Sequence, residues 1–194
     1  MIAFGVVMLI KSTLGVGPWD SLFVTLARLS PLTIGTSAMV MLFSLTTLVM
    51  LVRRSWRYSF IFIPIFLVGA LIDLFDLVIL ADFEPIGFAR FITFTAGMLS
   101  MPLGGAMLMQ TRFPAGVFEE VMLLIMERFK TEKMAYARLV VELFPAMVTI
   151  AINQILFNDF GTLAFGTLIY VLCAGPLVQF YNKRLRRNTH EQID

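Results

Sequence analysis

Cysteine and histidine are almost missing from this chain: each occurs once among 194 residues. Cys173 has no second cysteine for an intrachain disulfide, and His190 alone cannot build a His-rich zinc or haem site. Charge is scarce too. Asp, Glu, Lys and Arg make up 14% of the residues, where soluble domains carry roughly a quarter. The net charge of +2 is too small to argue for a nucleic-acid partner. No Walker motif, Gly-x-Ser-x-Gly, His-Glu-x-x-His or Cys-x-x-Cys occurs. Familiar hydrolytic, nucleotide or redox catalysis therefore has no visible apparatus, and the chain does not read as an enzyme. No cofactor or metal is expected. Met1 to Ile10 is apolar but lacks a basic n-region and a small-residue cleavage site, so no cleavable signal peptide is expected.

Apolar residues are abundant instead. They form 59% of the chain, and mean hydropathy is +0.88. A globule this small has too little interior to hide that much apolar surface, so the excess must face lipid. The expected class is an all-α polytopic membrane protein. Spanning the hydrocarbon takes about 20 mostly apolar residues. Ile34–Val52, Tyr58–Leu80, Phe91–Gln110, Tyr136–Phe157 and Thr162–Tyr181 qualify. Met1–Val16 is a shorter candidate that reads as the second half of a helix. Pro18–Leu29 and Pro114–Phe129 are too short and too charged to span comfortably. Each opens with proline, a good first helical residue, and carries acids near its start: Asp20, then Glu119 and Glu120.

Basic residues set the orientation. Arg53, Arg54 and Arg57 share one loop, Arg128, Lys130 and Lys133 another, and Lys183, Arg184, Arg186 and Arg187 the tail. Ala81–Gly87 and Asn158–Gly161 carry Asp82, Glu84 and Asp159 with no Lys or Arg. The positive-inside rule puts the basic loops in the cytoplasm, which requires that the two short helices do not cross. The expectation is six transmembrane helices with both termini cytoplasmic, plus two short re-entrant or interfacial helices. The bland reading lays both short helices flat on the surface.

The halves read alike, as a repeat over 1–86 and a second over 87–185, with a polar cytoplasmic tail at 186–194. Setting Asp20 against Glu120 places Leu22 on Met122 and Arg28 on Arg128. Farther on, Val68–Asp73 lies against Ala174–Gln179. Three crossings per half make the repeats inverted. Short, Gly/Pro-interrupted segments at matching positions of inverted repeats point to a transporter-like site.

Leu14-Gly15-Val16-Gly17-Pro18-Trp19-Asp20 resembles the YczE-like branch of the YczE/YyaS/YitT group of bacterial membrane proteins. The resemblance continues through Ile34-Gly35-Thr36, Gly69 to Leu74 and Gly175-Pro176-Leu177-Val178-Gln179-Phe180, and covers essentially the whole chain. Arg138 and Glu142 sit where such sequences carry an Arg and a Glu four apart. The second half departs from the pattern, reading Phe113-Pro114-Ala115-Gly116 where the group has Gly-x-Gly-Pro. The resemblance implies a multi-pass protein of the bacterial inner membrane and names no substrate.

Candidate pathway residues are Gly17, Pro18, Asp20, Asp73, Glu120, Arg138, Glu142 and Gln179. Gly17 and Pro18 open a helix whose free N–H groups can hold an anion; Asp20 either caps those groups or serves a substrate or a proton. Trp19 reads as an interfacial anchor. Asp73 and Asp76 share a helix face, and a carboxylate within a span is costly and usually points inward. Asp73 either binds a cation or proton or has a structural partner. Glu119 and Glu120 are expected to face Arg112 and Arg138, as an ion-pair network or as a relay. Lys11 pairs with Asp20 or Asp73, or snorkels. Asn153 and Gln154 are expected to bond between helices. Gly97, Gly104 and Gly105, with Pro102, suggest a closely packed or kinked helix.

The functional expectation is a small-molecule or ion transporter. The alternative is a non-transporting subunit that binds another protein through its basic cytoplasmic face. Partners are the lipid bilayer and an unknown small substrate. A six-helix bundle offers little wall for a pathway, which points to a homodimer.

Overall fold

The computed structural model describes residues 1–111, 116–130 and 134–190, with the side chains of 134–136 and 186–190 outside the description. Eight α-helices follow one another: α1 (Ile2–Ser12), α2 (Pro18–Leu29), α3 (Ile34–Arg53), α4 (Phe62–Leu74), α5 (Phe88–Met109), α6 (Val117–Phe129), α7 (Met134–Leu156) and α8 (Phe165–His190). A 3-10 turn, Trp56–Ile61, leads into α4, and a π-helical turn, Phe75–Ile79, continues it. The described residues contain no strand.

Local chemistry sets the boundaries. α1 stops where Thr13 turns left-handed, at φ 58, and its N–H donates to the Ile10 carbonyl. Gly15, at φ +127, continues the reversal in a conformation that disfavours a side chain. Gly17 precedes Pro18 at the first position of α2. Thr33 caps α3 by accepting from the Thr36 N–H, and Arg54 ends that helix left-handed.

Four segments are long and apolar enough to cross a membrane: Ile34–Arg53, Trp56–Ile79, Phe88–Met109 and Ala137–Leu156. In each, at most 33% of the apolar window is buried in the protein. Leu51, Phe66, Leu77, Phe91, Met147 and Leu172 are among the exposed large side chains. Such faces need an apolar surrounding, so the chain is a multi-pass membrane protein. α1, at 11 residues, is a shorter apolar helix.

Close helix approach orders the bundle. α1 runs antiparallel to α5, with Ile2 against Gly104, Gly5 against Met101 and Leu9 against Gly97. Gly97 and Gly104 face this contact; Gly105 faces open space. α3 meets α4 where Gly35 lies against the Gly69 carbonyl. α2 packs on α3 and α7, α6 on α3 and α7, α4 on α1, and α8 on α5. The central core joins Trp19, Leu22, Phe23, Ala38 and Val141, with Phe118, Val121 and Met122 packed against it.

Candidate functional site

The two short helices meet head to head. Trp19, in the first turn of α2, stacks on Phe118, in the first turn of α6, with ring centroids 4.6 Å apart. Trp19 is therefore a core residue, 8% exposed, and not an interfacial anchor. Trp56, 83% exposed, is the indole with interfacial character.

The far ends of the two helices are clamped at opposite ends of the bundle. Arg28, at the end of α2, donates to both carboxylate oxygens of Asp159, at 3.3 and 3.0 Å, and to Asn153 Oδ1 at 2.9 Å. Its guanidinium also covers the Phe157 ring at 4.2 Å. The Gly161 N–H donates to Asp159 as well, and with Arg28 it holds that carboxyl below its ordinary range. Arg53, at the end of α3, reaches Glu127 at 2.8 Å and Glu120 at 4.0 Å on α6. Glu120 thus pairs with Arg53, not with Arg138. Arg112 and Pro114 lie outside the described residues.

The chain before α2 returns to the Asp159 end. The Gly166 N–H, at the start of α8, donates to the Leu14 carbonyl at 2.8 Å. Ser21 accepts from Thr162 at 2.8 Å, and Thr25 accepts from Asn153 at 2.7 Å. A cavity of about 180 Å³ lies here, lined by Thr13, Gly15, Gly161 and Thr162 among others. Thr13 and Arg28 therefore lie toward the same end, while Trp19 lies in the core.

Beside Trp19 sits a charged cluster. Asp20 is 6% exposed and lies within electrostatic reach of Glu142 on α7. Glu142 also feels Arg138, one turn away, and Glu119 of α6. Tyr170 of α8 feels Asp20, Glu142 and Arg138, and its hydroxyl donates to Met101 Sδ at 3.1 Å. Two glycines leave room. A side chain at Gly17 would meet Asp20 and Tyr170, and one at Gly175 would meet the Arg138 guanidinium. Asp20 does not cap α2: the helix start carries no side-chain cap bond.

Other expected residues fall elsewhere. Asp73 accepts from the Gly35 N–H at 2.7 Å and from the Thr33 hydroxyl at 2.6 Å, so an α4 carboxylate caps α3. Lys11 pairs with Asp76 at 3.3 Å, not with Asp20 or Asp73. Gln179 is exposed on α8 and stands apart from the cluster. Gln154 is exposed, whereas Asn153 bonds between helices as expected. Sequence reasoning misses Tyr170; its signal is a phenol in the middle of an apolar span, five residues before Gly175.

Lipid-facing helices, with a buried Asp20 beside the partly buried Glu142 and Tyr170 and the exposed Arg138, define a polytopic membrane protein. The chain belongs to a family of unknown function, DUF6198, which matches residues 1–183. It is 25% identical over 189 residues to the uncharacterized protein YyaS of Bacillus subtilis (strain 168), covering 97% of this chain and 90% of that protein. No solved structure matches it.

Proposed function

We propose that the protein transports a small molecule or ion across the bacterial inner membrane. The observation that carries this reading is the meeting of α2 and α6 at Trp19 and Phe118, with Asp20, Glu142 and Arg138 beside it. Charged groups inside a membrane protein are costly and mark pathways for ions, protons or polar substrates.

Inverted repeats support it. α1 packs on α4 as α5 packs on α8; α2 packs on α3 as α6 packs on α7; α2 reaches α7 as α6 reaches α3. α1 and α5 pack on each other. Gly17 and Gly116 both precede a short helix, and Asp20 and Glu119 both fold back over that glycine. Gly69 lies against Met39 as Gly175 lies against Arg138. Arg28 and Glu127 hold the matching clamps with reversed charge. From Gly17 to Met39 the offset is constant, and one residue shorter than the alignment that sets Asp20 on Glu120.

The topology has six crossings, by α1, α3, α4, α5, α7 and α8. α8 has 26 residues, about 39 Å at 1.5 Å per residue, against a hydrocarbon core about 30 Å thick. The Arg53 end, with Arg54, Arg57 and Lys130, faces the cytoplasm, and the Asp159 end faces outward. Both termini are cytoplasmic. α2 enters from outside, α6 from inside, and neither crosses. Gly15–Asp20 and Gly175–Phe180 support a place in the YczE-like branch. The thin wall of the bundle makes a homodimer part of the proposal.

A thermal-shift screen in detergent tests it, with amino acids, sugars, nucleosides, organic acids and quaternary amines as probes. A ligand at a hundred times its dissociation constant stabilises by about 2.7 kcal/mol. One class is expected to raise the melting temperature of the wild type and not of Asp20→Asn. No shift with any class favours the subunit reading, which draws on exposed Arg54, Arg57, Lys130, Lys183 and Arg184.

A further inference from the structure

Two of the polar side chains in the first turn of α2, Trp19 and Asp20, have no hydrogen-bond partner among the described residues. Asp20 is 6% exposed, and no hydrogen bond from a described residue reaches its carboxylate. Next to it, Trp19 Nε1 is buried with no acceptor among the described residues. Native structures rarely leave such groups unmet without a functional reason.

The charges nearby do not balance. α7 brings Glu142 and Arg138, α8 brings Tyr170, and Glu119 of α6 acts on Glu142. α3, which also packs on α2, carries Arg53 as its one charged residue, at its far end and bound to Glu120 and Glu127. Glu142 acts on Asp20 and Glu119 on Glu142, while the one guanidinium here, the exposed Arg138, acts on Glu142 and not on Asp20. An uncompensated carboxylate in this setting calls for a cation. A metal ion needs several oxygen ligands on one centre. Among the described residues, no three His, Cys, Asp or Glu side chains are grouped to hold one. A proton needs one oxygen.

We infer that Asp20 is the proton-binding residue of the pathway, with Glu142 as its neighbouring acid. Its carboxylate takes one proton from water, becomes a neutral carboxylic acid, and returns to the carboxylate when the proton leaves to water. Movement of that proton across the membrane rests on the transport reading; the binding does not.

Trp19 is the built-in reporter. The chain has two tryptophans, so Trp56→Phe leaves Trp19 alone beside Asp20. Fluorescence of purified Trp56→Phe protein in detergent, titrated with acid, is expected to show one transition. Asp20→Asn removes it, Asp20→Glu keeps it, and Glu142→Gln displaces its midpoint. Infrared difference spectra across the same transition carry a protonated-carboxyl carbonyl band that Asp20→Asn lacks. A transition that persists in Asp20→Asn overturns the inference. So does a transition that disappears when choline replaces sodium, which assigns the site to a metal ion. Should Asp20→Asn fail to fold, an unmoved midpoint in both Asp20→Glu and Glu142→Gln overturns it. A transition that follows Asp20 in a protein that moves no solute in liposomes sustains the proton site and sinks the transport reading alone.

Discussion

Gly35→Val is expected to cost more stability than the loss of any one interhelical hydrogen bond. The Cβ of any residue at this position would run into the Gly69 carbonyl and come within 2.7 Å of the Asp73 carboxylate. Neither can give easily: one is backbone of α4, and the other is bound to the Gly35 N–H and the Thr33 hydroxyl. Overpacking a close contact costs about 1–3 kcal/mol. Forcing α4 away also breaks the cap of α3, worth about 0.5–2 kcal/mol. Lipid cannot replace those hydrogen bonds as water would. Thermal melting in detergent should show a large drop in midpoint or loss of the monodisperse protein. Gly105→Val is the control. A Cβ there meets nothing within 4 Å, and its melting curve should overlay the wild type.

Asn153→Ala comes second in expected cost. Asn153 is 0% exposed, and its amide N–H groups donate to Thr25 at 2.7 Å and to the Thr149 carbonyl at 2.9 Å. Its carbonyl oxygen accepts from Arg28 at 2.9 Å. One side chain therefore ties α2 to α7 at two points. Stranding a buried partner costs about 1–3 kcal/mol. Arg28→Ala should cost less, although the same clamp is cut. The Arg28 and Asp159 side chains are 37% and 44% exposed, and such pairs are worth about 0–1 kcal/mol. The Phe157 contact adds about 0.5–1 kcal/mol. Melting of both variants beside Gln154→Ala, whose side chain is exposed, should give Asn153→Ala the lowest midpoint and Gln154→Ala no change. An equal loss in the Arg28 and Asn153 variants would mean that the ion pair, not the buried amide, holds α2.

The sequence is most legible where one physical demand dominates. Lipid demands long apolar runs, so most helices fall within a few residues of expectation, while α8 runs to His190, nine residues past Tyr181. Pro18 and Leu29 bound α2 as read, because proline starts a helix and Ser30-Pro31 follows it. Partner choice is far less legible. Asp73 and Asp20 look alike in sequence, each an acid in an apolar setting. Only the fold brings the α3 start to Asp73 and leaves Asp20 without a donor. Glu119 and Glu120 are neighbours whose roles separate by the 100° that a helix turns per residue. One faces Glu142, the other Arg53. Tyr170 stays hidden because tyrosine in a span usually marks an interface.

Side-specific labelling probes the proposed topology, in which two short helices enter from opposite faces and meet without crossing. Thr13, Pro31, Thr111 and Lys130 bracket α2 and α6, and all four are exposed. Each is changed to cysteine in turn in a Cys173→Ser background, and intact cells receive a membrane-impermeant thiol reagent. Positions 13 and 31 are expected to label from outside, while 111 and 130 label only after the membrane is opened. Positions 13 and 31 on opposite sides, or 111 and 130 on opposite sides, would make a short helix a crossing one and refute this topology.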